Sequence, residues 1–392
     1  MDDRPTSAQY TGSGCLPNRC QNTCTVGTLR QDRLQRFQRL LADRALDCYI
    51  AGTPISMGYL ADFHEGGGER MLVMLIRPEG EPAMIVPSLS RTHTEKTGVG
   101  QIRDWKDGED PGELFESLAL EWGLRTAVIG VDDEIPASIL LRMQTALPAA
   151  LFKAAGDVMA EARKSKDESE LSAMKRAAEI AEAAFDAVLH SLREGMTERE
   201  VAFLLQMEML RHGGLPTFCI VATGANGAEP HHTSDDTPLC KGDIVVIDWG
   251  CQVDHYLSDL TRTIAVGEPS KEARDVYRIV YESHRAGRDA IRPGVACQEV
   301  DRAARAVIQG AGFGEHFIHR TGHGIGMMGH EPPMIVEGNL SPLVVGQCFS
   351  VEPGIYLPGR FGVRIENIVT VTESGHRSLN TEPPSEIIVV GA

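Results

Sequence analysis

Ile244-Val245-Val246-Ile247-Asp248-Trp249-Gly250 is an apolar run closed by an acid, and Asp259-Leu260-Thr261-Arg262-Thr263 opens eleven residues after Asp248. A second stretch repeats the arrangement: Phe349-Ser350-Val351-Glu352-Pro353-Gly354, then Val363-Arg364-Ile365-Glu366-Asn367. Their β-branched and aromatic content predicts strands, and the turn residues between them predict two hairpins. A carboxylate buried at the end or middle of a strand is costly unless something offsets its desolvation. Acids flanking one turn can lie opposite each other and point to the same face. If the hairpins pack together, four carboxylates converge with only Arg364 as a cation among them. Like charges so placed repel until divalent cations neutralise them. For any single acid, a strand cap or a surface arginine partner explains as much; for all four together it does not.

An imidazole joins them. Ile318-His319-Arg320-Thr321-Gly322-His323-Gly324-Ile325-Gly326 flanks His323 with glycines, which let backbone approach a ligand closely. His319 and His330 stand at i−4 and i+7 from His323 and are expected in the same pocket. Carboxylates with one imidazole favour manganese, iron(II), cobalt or zinc over a thiolate-type zinc site. Five ligands are too many for one catalytic ion with an open position, and two ions sharing a hydroxide fit better. Gly324–Gly329 spells G-x-G-x-x-G, but His330-Glu331-Pro332-Pro333 follows where a helix should run, so the dinucleotide reading fails. Of the pair after Pro230, His231 reads as an oxyanion or substrate donor, and His232 as a solvated loop residue.

The chain has 392 residues, enough for two domains at roughly 150 residues each. Its net charge of −17 argues against nucleic acid and against anionic membrane. Met1–Gly14 carries no secretory pattern, and no run approaches the roughly 18 apolar residues of a span. Nine scattered cysteines suit free thiols and a cytoplasmic location. Cys15, Cys20 and Cys24 lack a C-x-x-C pair and a fourth ligand, so residues 1–28 read as a flexible leader, not a zinc knuckle.

Residues 29–160 read as an α/β domain: a helix carrying Leu34, Phe37, Leu40 and Leu41, strands near Leu46–Ala51, Met71–Ile76, Ala83–Val86 and Ala127–Val131, and helices near Pro111–Trp122 and Pro136–Ala146. A charged linker is expected at Glu161–Lys166. Residues 161–392 then read as helix, helix, hairpin, repeated once, which predicts pseudo-two-fold symmetry. Helices are expected at Glu168–Leu192, Glu198–His212 after a Thr197/Glu200 capping box, Lys271–Ala290 and Cys297–Gln309. The hairpins are expected as Ile244–Gly250 with Tyr256–Val266, and Gln347–Tyr356 with Gly362–Val371.

Pro230-His231, Ile247-Asp248-Trp249-Gly250, Ser258-Asp259-Leu260-Thr261-Arg262-Thr263, Arg320-Thr321-Gly322-His323-Gly324-Ile325-Gly326, Val351-Glu352-Pro353-Gly354-Ile355-Tyr356 and Arg364-Ile365-Glu366-Asn367 together resemble the creatinase/prolidase/aminopeptidase P family of metallopeptidases. The resemblance is strong over residues 160–380 and holds in outline before them. It implies an α+β pita-bread catalytic domain preceded by a smaller α/β domain, and a homodimer. It implies hydrolysis of Xaa-Pro dipeptides (prolidase) by a hydroxide bridging two divalent ions, Mn2+ first, Co2+ or Zn2+ as alternatives. Aminopeptidase P, acting on longer Xaa-Pro peptides, is the alternative. By motif, Asp248, Asp259, His323, Glu352 and Glu366 are the implied ligands, and Glu352 also shuttles a proton. His231 and His330 are implied as catalytic, His319 and Arg364 as substrate-binding. Creatine hydrolysis, lyase chemistry and a non-enzymatic scaffold all fit less well with a complete ligand set. One departure stands out: Met334 occupies a position where some prolidases hold the substrate carboxylate with arginine, leaving Arg364, Arg360 or an N-terminal residue as candidates.

Overall fold

A computed structural model describes residues 29–391. The leader with its three cysteines lies outside the described residues. The chain begins with α1 (Gln31–Asp43), whose Leu34, Phe37 and Leu41 are buried. It continues through β1 (Cys48–Ala51), α2 (Pro54–Ala61), β2 (Val73–Ile76), β3 (Ala83–Pro87), α3 (Arg91–Glu95), β4 (Gln101–Trp105), α4 (Pro111–Glu121), β5 (Val128–Val131), α5 (Ala137–Ala146), β6 (Leu151–Ala154) and α6 (Gly156–Arg163). One six-stranded sheet results, in the order β4-β3-β2-β1-β5-β6. Its central strands are buried on both faces, against Phe37 and Met57 on one side and Phe115 and Met143 on the other. Such strands read as continuous apolar runs, which is why β1, β2, β3 and β5 were legible.

The stretch expected as the linker, residues 161–166, spans the end of α6 and the bend before the next helix, with Arg163 and Lys166 buried. Lys166 Nζ donates to Glu331 Oε1 at 2.5 Å, so the charges there form a buried contact between the two halves of the chain.

The second half starts with α7 (Glu168–Leu189) and α8 (Glu198–Arg211), each opened by a reciprocal capping box. β7 (Leu215–Thr223), β8 (Ile244–Val253), β9 (Tyr256–Leu257) and β10 (Leu260–Val266) follow. Then α9 (Lys271–Asp289) and α10 (Cys297–Gly310) precede β11 (Gly322–Gly324), β12 (Glu331–Ile335), β13 (Cys348–Val351), β14 (Gly354–Leu357), β15 (Phe361–Arg364), β16 (Asn367–Thr372), β17 (Gly375–Ser378) and β18 (Ile388–Val390). One sheet runs β18-β10-β8-β7 with β9 on β8, and the other runs β12-β11-β13-β16-β17. Each sheet is preceded by its own helix pair: this is the pseudo-two-fold pita-bread architecture.

The second hairpin departs from expectation. β13 pairs with β16, whereas β14 and β15 leave the sheet as a separate two-stranded ribbon. Pro353 falls where β13 gives way to β14, and proline cannot donate to a sheet ladder. Glu352 and Glu366 therefore sit at the two corners where the ribbon departs. The sheets are tied together at the same place. Thr261 bridges Glu366, and Thr263 Oγ1 donates to the Arg364 carbonyl at 2.8 Å while accepting from its amide at 3.1 Å.

Candidate metal centre

Asp248 lies within β8, opposite Thr261 of β10. Asp259 stands in the break between β9 and β10, so the two acids flank the turn as expected without facing each other as a registered pair. Gly322 lets β11 press against β13: a Cβ there would overlap the Ser350 carbonyl. That approach brings His323 to the acids.

The side chains meet. Ligand atoms of Asp259, His323 and Glu366 lie within 4.8 Å of one another. His323 Nε2 is 3.4 Å from Glu352 Oε1 and 3.8 Å from Asp259 Oδ2. His323 Nδ1–H donates to the Gly324 carbonyl at 3.1 Å, which leaves Nε2 as a bare lone pair facing the carboxylates. Burial, and then neighbouring His330, push the His323 imidazole down to about 3. It is neutral, as a ligand must be.

The acids are held under strong mutual repulsion. Burial is the largest cause raising Asp259, followed by the charges of Glu366, Asp248 and Glu352. Burial likewise raises Glu366 well above the carboxylate range, reinforced by Glu352 and Asp248. Glu352 is pushed up to about 7 by burial, with Arg364 opposing. Two oxygens, Asp248 Oδ1 and Glu366 Oε1, are buried without a hydrogen-bond partner. Orphaned acceptors inside a cluster of acids are what a divalent cation satisfies, so the donor set fits one.

Every nitrogen of Arg364 is engaged. Nη2 donates to Asp248 Oδ2 at 2.7 Å, Nε to Thr261 Oγ1 at 3.0 Å, and Nη1 to Tyr356 Oη at 3.0 Å and the Pro230 carbonyl at 3.5 Å. Thr261 Oγ1 in turn donates to Glu366 Oε2 at 2.7 Å. Tyr356 was not singled out from the sequence, although it closes the Glu352–Tyr356 segment. Its hydroxyl donates to His319 Nε2 at 2.8 Å, and His319 Nδ1–H donates to the Arg320 carbonyl at 2.7 Å. Both nitrogens of His319 are thus occupied inside the protein, and burial lowers the ring to about 4. The structure brings His319 to Tyr356 and the Arg320 carbonyl, beside the centre.

His330 packs on His323 with ring centroids 3.9 Å apart. Arg320 Nη2 donates to His330 Nδ1 at 3.2 Å, so the exposed His330 carries its proton on Nε2. His231 is exposed beside them, close enough for its charge to depress both His319 and His330 after burial and the nearby arginines. His232, expected as a solvated loop residue, is instead held at 2.7 Å on Oε2 of Glu198, a fully buried carboxylate. Glu198 also accepts from the Thr223 and Asp235 amides and from Asn226, fastening both ends of the His231 loop. A lone glutamate in the first turn of a helix carries no sequence signal of that task. Arg360 lies exposed at the end of the ribbon and pairs with Glu272. A cleft of about 320 Å³, lined by Thr53, Ser56, Asp132, Arg163, Glu331 and His330, opens between the two halves beside the histidines.

An acid-rich, imidazole-bearing centre in a pita-bread fold defines a divalent-metal enzyme. Residues 172–373 match the metallopeptidase family M24, and residues 33–165 match the creatinase/prolidase N-terminal domain. The chain belongs to metallopeptidase family M24. It is 39% identical over 368 residues to the probable dipeptidase PepE of Mycobacterium tuberculosis, covering 90% of this chain and 95% of that protein. It is 32% identical over 352 residues to the Xaa-Pro dipeptidase of Pyrococcus furiosus, covering 89% and 97%. A crystal structure of a recombinant prolidase from Thermococcus sibiricus superposes with a TM-score of 0.88 at 34% identity, covering 92% and 99%. Among the described residues no helix is long and apolar enough to cross a membrane.

Proposed function

We propose that this protein is an Xaa-Pro dipeptidase in which Asp248, Asp259, His323, Glu352 and Glu366 hold two divalent cations. The observation that carries the reading is the cluster of Asp259, His323 and Glu366, with Glu352 3.4 Å from His323, the charge of Asp248 acting on the same acids, and two buried, unpartnered oxygens on Asp248 and Glu366. The hard, oxygen-rich set favours manganese, with cobalt or zinc as alternatives. When bound, the ions lower the pKa of water and polarise a carbonyl.

The chain's own residues then divide the remaining work. Glu352, raised to about 7, is placed to take a proton and return it to the departing proline nitrogen. That nitrogen carries no N–H in the substrate and leaves poorly unless protonated. His330 offers Nε2–H, and His231 stands beside it, to a carbonyl oxygen becoming an oxyanion. Arg364 neutralises one oxygen of Asp248 and locks Thr261 and Tyr356 around the centre. We assign the catalytic unit to residues 161–392 and a separate α/β unit to residues 29–160. Six free thiols among the described residues suit a reducing compartment such as cytoplasm.

Purified protein with manganese releases proline from Ala-Pro and Leu-Pro; no release with any divalent metal overturns the assignment. Met334, apolar and paired across the strands with His323, favours a second reading as an aminopeptidase acting on longer peptides. Faster cleavage of Xaa-Pro-Xaa tripeptides than of dipeptides would select it.

A further inference from the structure

A dipeptide differs from a longer peptide in one group: the free carboxylate on its second residue. That carboxylate lies three bonds beyond the scissile carbonyl carbon, hence within roughly 4 Å of it. A cation recognising it must stand beside the metal centre and have donors to spare. Arg364 has one N–H left of five, too few for a two-pronged grip, because the other four serve Asp248, Thr261, Tyr356 and Pro230. Lys166 and Arg163 are buried against Glu331. Arg360 sits on the exposed ribbon with Glu272. Met334, the strand partner of His323, brings no charge.

Arg320 meets the requirement. It lies two residues before β11 and three before His323, and is half-buried. The one side-chain hydrogen bond described for it goes to His330 Nδ1 at 3.2 Å, on the ring that packs 3.9 Å from His323. A guanidinium has five N–H donors, so four stay available for a carboxylate. Its charge is felt at the centre, where it acts on Glu352 and His323 behind the larger effect of burial.

We infer that Arg320 receives the C-terminal carboxylate of the substrate and thereby confers a preference for dipeptides. The inference rests on the Xaa-Pro reading above and adds the residue that would limit substrate length. By holding His330 Nδ1, the same guanidinium also couples carboxylate binding to the donor aimed at the carbonyl.

The test compares Leu-Pro with Leu-Pro-amide, which differ only in that charge, on manganese-loaded wild type, Arg320→Gln and Arg320→Lys. Wild type is expected to favour the free acid by roughly 10- to 100-fold in kcat/KM, chiefly through KM. Arg320→Gln should erase the preference, and Arg320→Lys should restore part of it, as a point charge without the planar fork. Thermal melts verify that both variants fold. A second arm titrates metal-free wild type and Arg320→Gln with both compounds by calorimetry, where no hydrolysis occurs. If wild type cleaves both compounds but ignores the carboxylate, or Arg320→Gln keeps the preference, Arg320 is not the receptor. If wild type cleaves neither yet binds the acid better, and Arg320→Gln loses that, the Arg320 assignment stands and the peptidase reading falls.

Discussion

The Arg364 guanidinium donates to Asp248 Oδ2 at 2.7 Å, yet Asp248 Oδ1 stays buried with no hydrogen-bond partner. One oxygen of the carboxylate is satisfied by protein, and under the proposed assignment the other is left for a cation. Arg364→Met would leave Asp248 facing Glu352, Glu366 and Asp259 without its guanidinium partner. Breaking a buried pair this way costs about 3–5 kcal/mol. We expect a lowered denaturation midpoint and a loss of kcat/KM of roughly 100-fold or more. Arg364→Lys keeps the charge but cannot reach Asp248, Thr261 and Tyr356 together, so it should fall between. A Met variant equal to wild type would remove Arg364 from the centre.

His323→Ala and Glu366→Ala each remove one side chain from the ligand cluster. Turnover should drop below roughly 1% of wild type, and metal content by elemental analysis should fall with it. Circular dichroism should stay unchanged, since β11 and the start of β16 are held by backbone pairing. Chelation of wild type should abolish activity, and manganese should restore it. Full turnover in either variant contradicts the ligand assignment.

Glu198 fastens the His231 loop at the Thr223 amide, Asn226, His232 and the Asp235 amide. Glu198→Ala strands buried donors, a loss of about 1–3 kcal/mol for each group left unpaired. It should slow turnover as well as lower stability. Combined with His231→Ala, it should cost stability again but add little further rate loss, because both changes act on one group. Additive rate losses would show that Glu198 acts elsewhere.

Asp167 caps α7 and reaches Arg33 of the N-terminal unit at 3.2 Å. Burial works against its ionisation, but Ser169, the Glu170 amide and Arg33 hold its carboxyl at about 2, below the ordinary 3.8. A depressed folded-state value contributes stability above the unfolded value and loses it as pH falls through the folded one. The stability gap between wild type and Asp167→Asn should therefore be full at pH 6 and shrink between about pH 4 and 2. Its side chain is half exposed, so we expect about 1 kcal/mol or less, the scale of a helix cap. A gap that widens on acidification would contradict the assignment.

Much of this was legible beforehand, and the reasons are local. β1, β2, β3 and β5 are buried on both sides and read as unbroken apolar runs. β6 exposes most of its residues at a sheet edge, so no apolar run marked it as a strand. α2 has six buried residues among eight, so no polar face marked it as a helix. The Glu161–Lys166 stretch reads only as a charged linker because Glu331, which pairs with Lys166, lies 165 residues away.

The amino-acid sequence by itself determined which groups to look for at the centre: four acids placed within strand-forming runs, beside a glycine-flanked histidine, are together too costly to bury without a cation. Only the tertiary structure decided how each is used. His319 turned inward to Tyr356, His232 became an anchor on Glu198, and Arg364 was occupied while Arg320 kept donors to spare. A hydrogen bond depends on its partner's position as much as on the residue itself, and these partners come together only when the two sheets close.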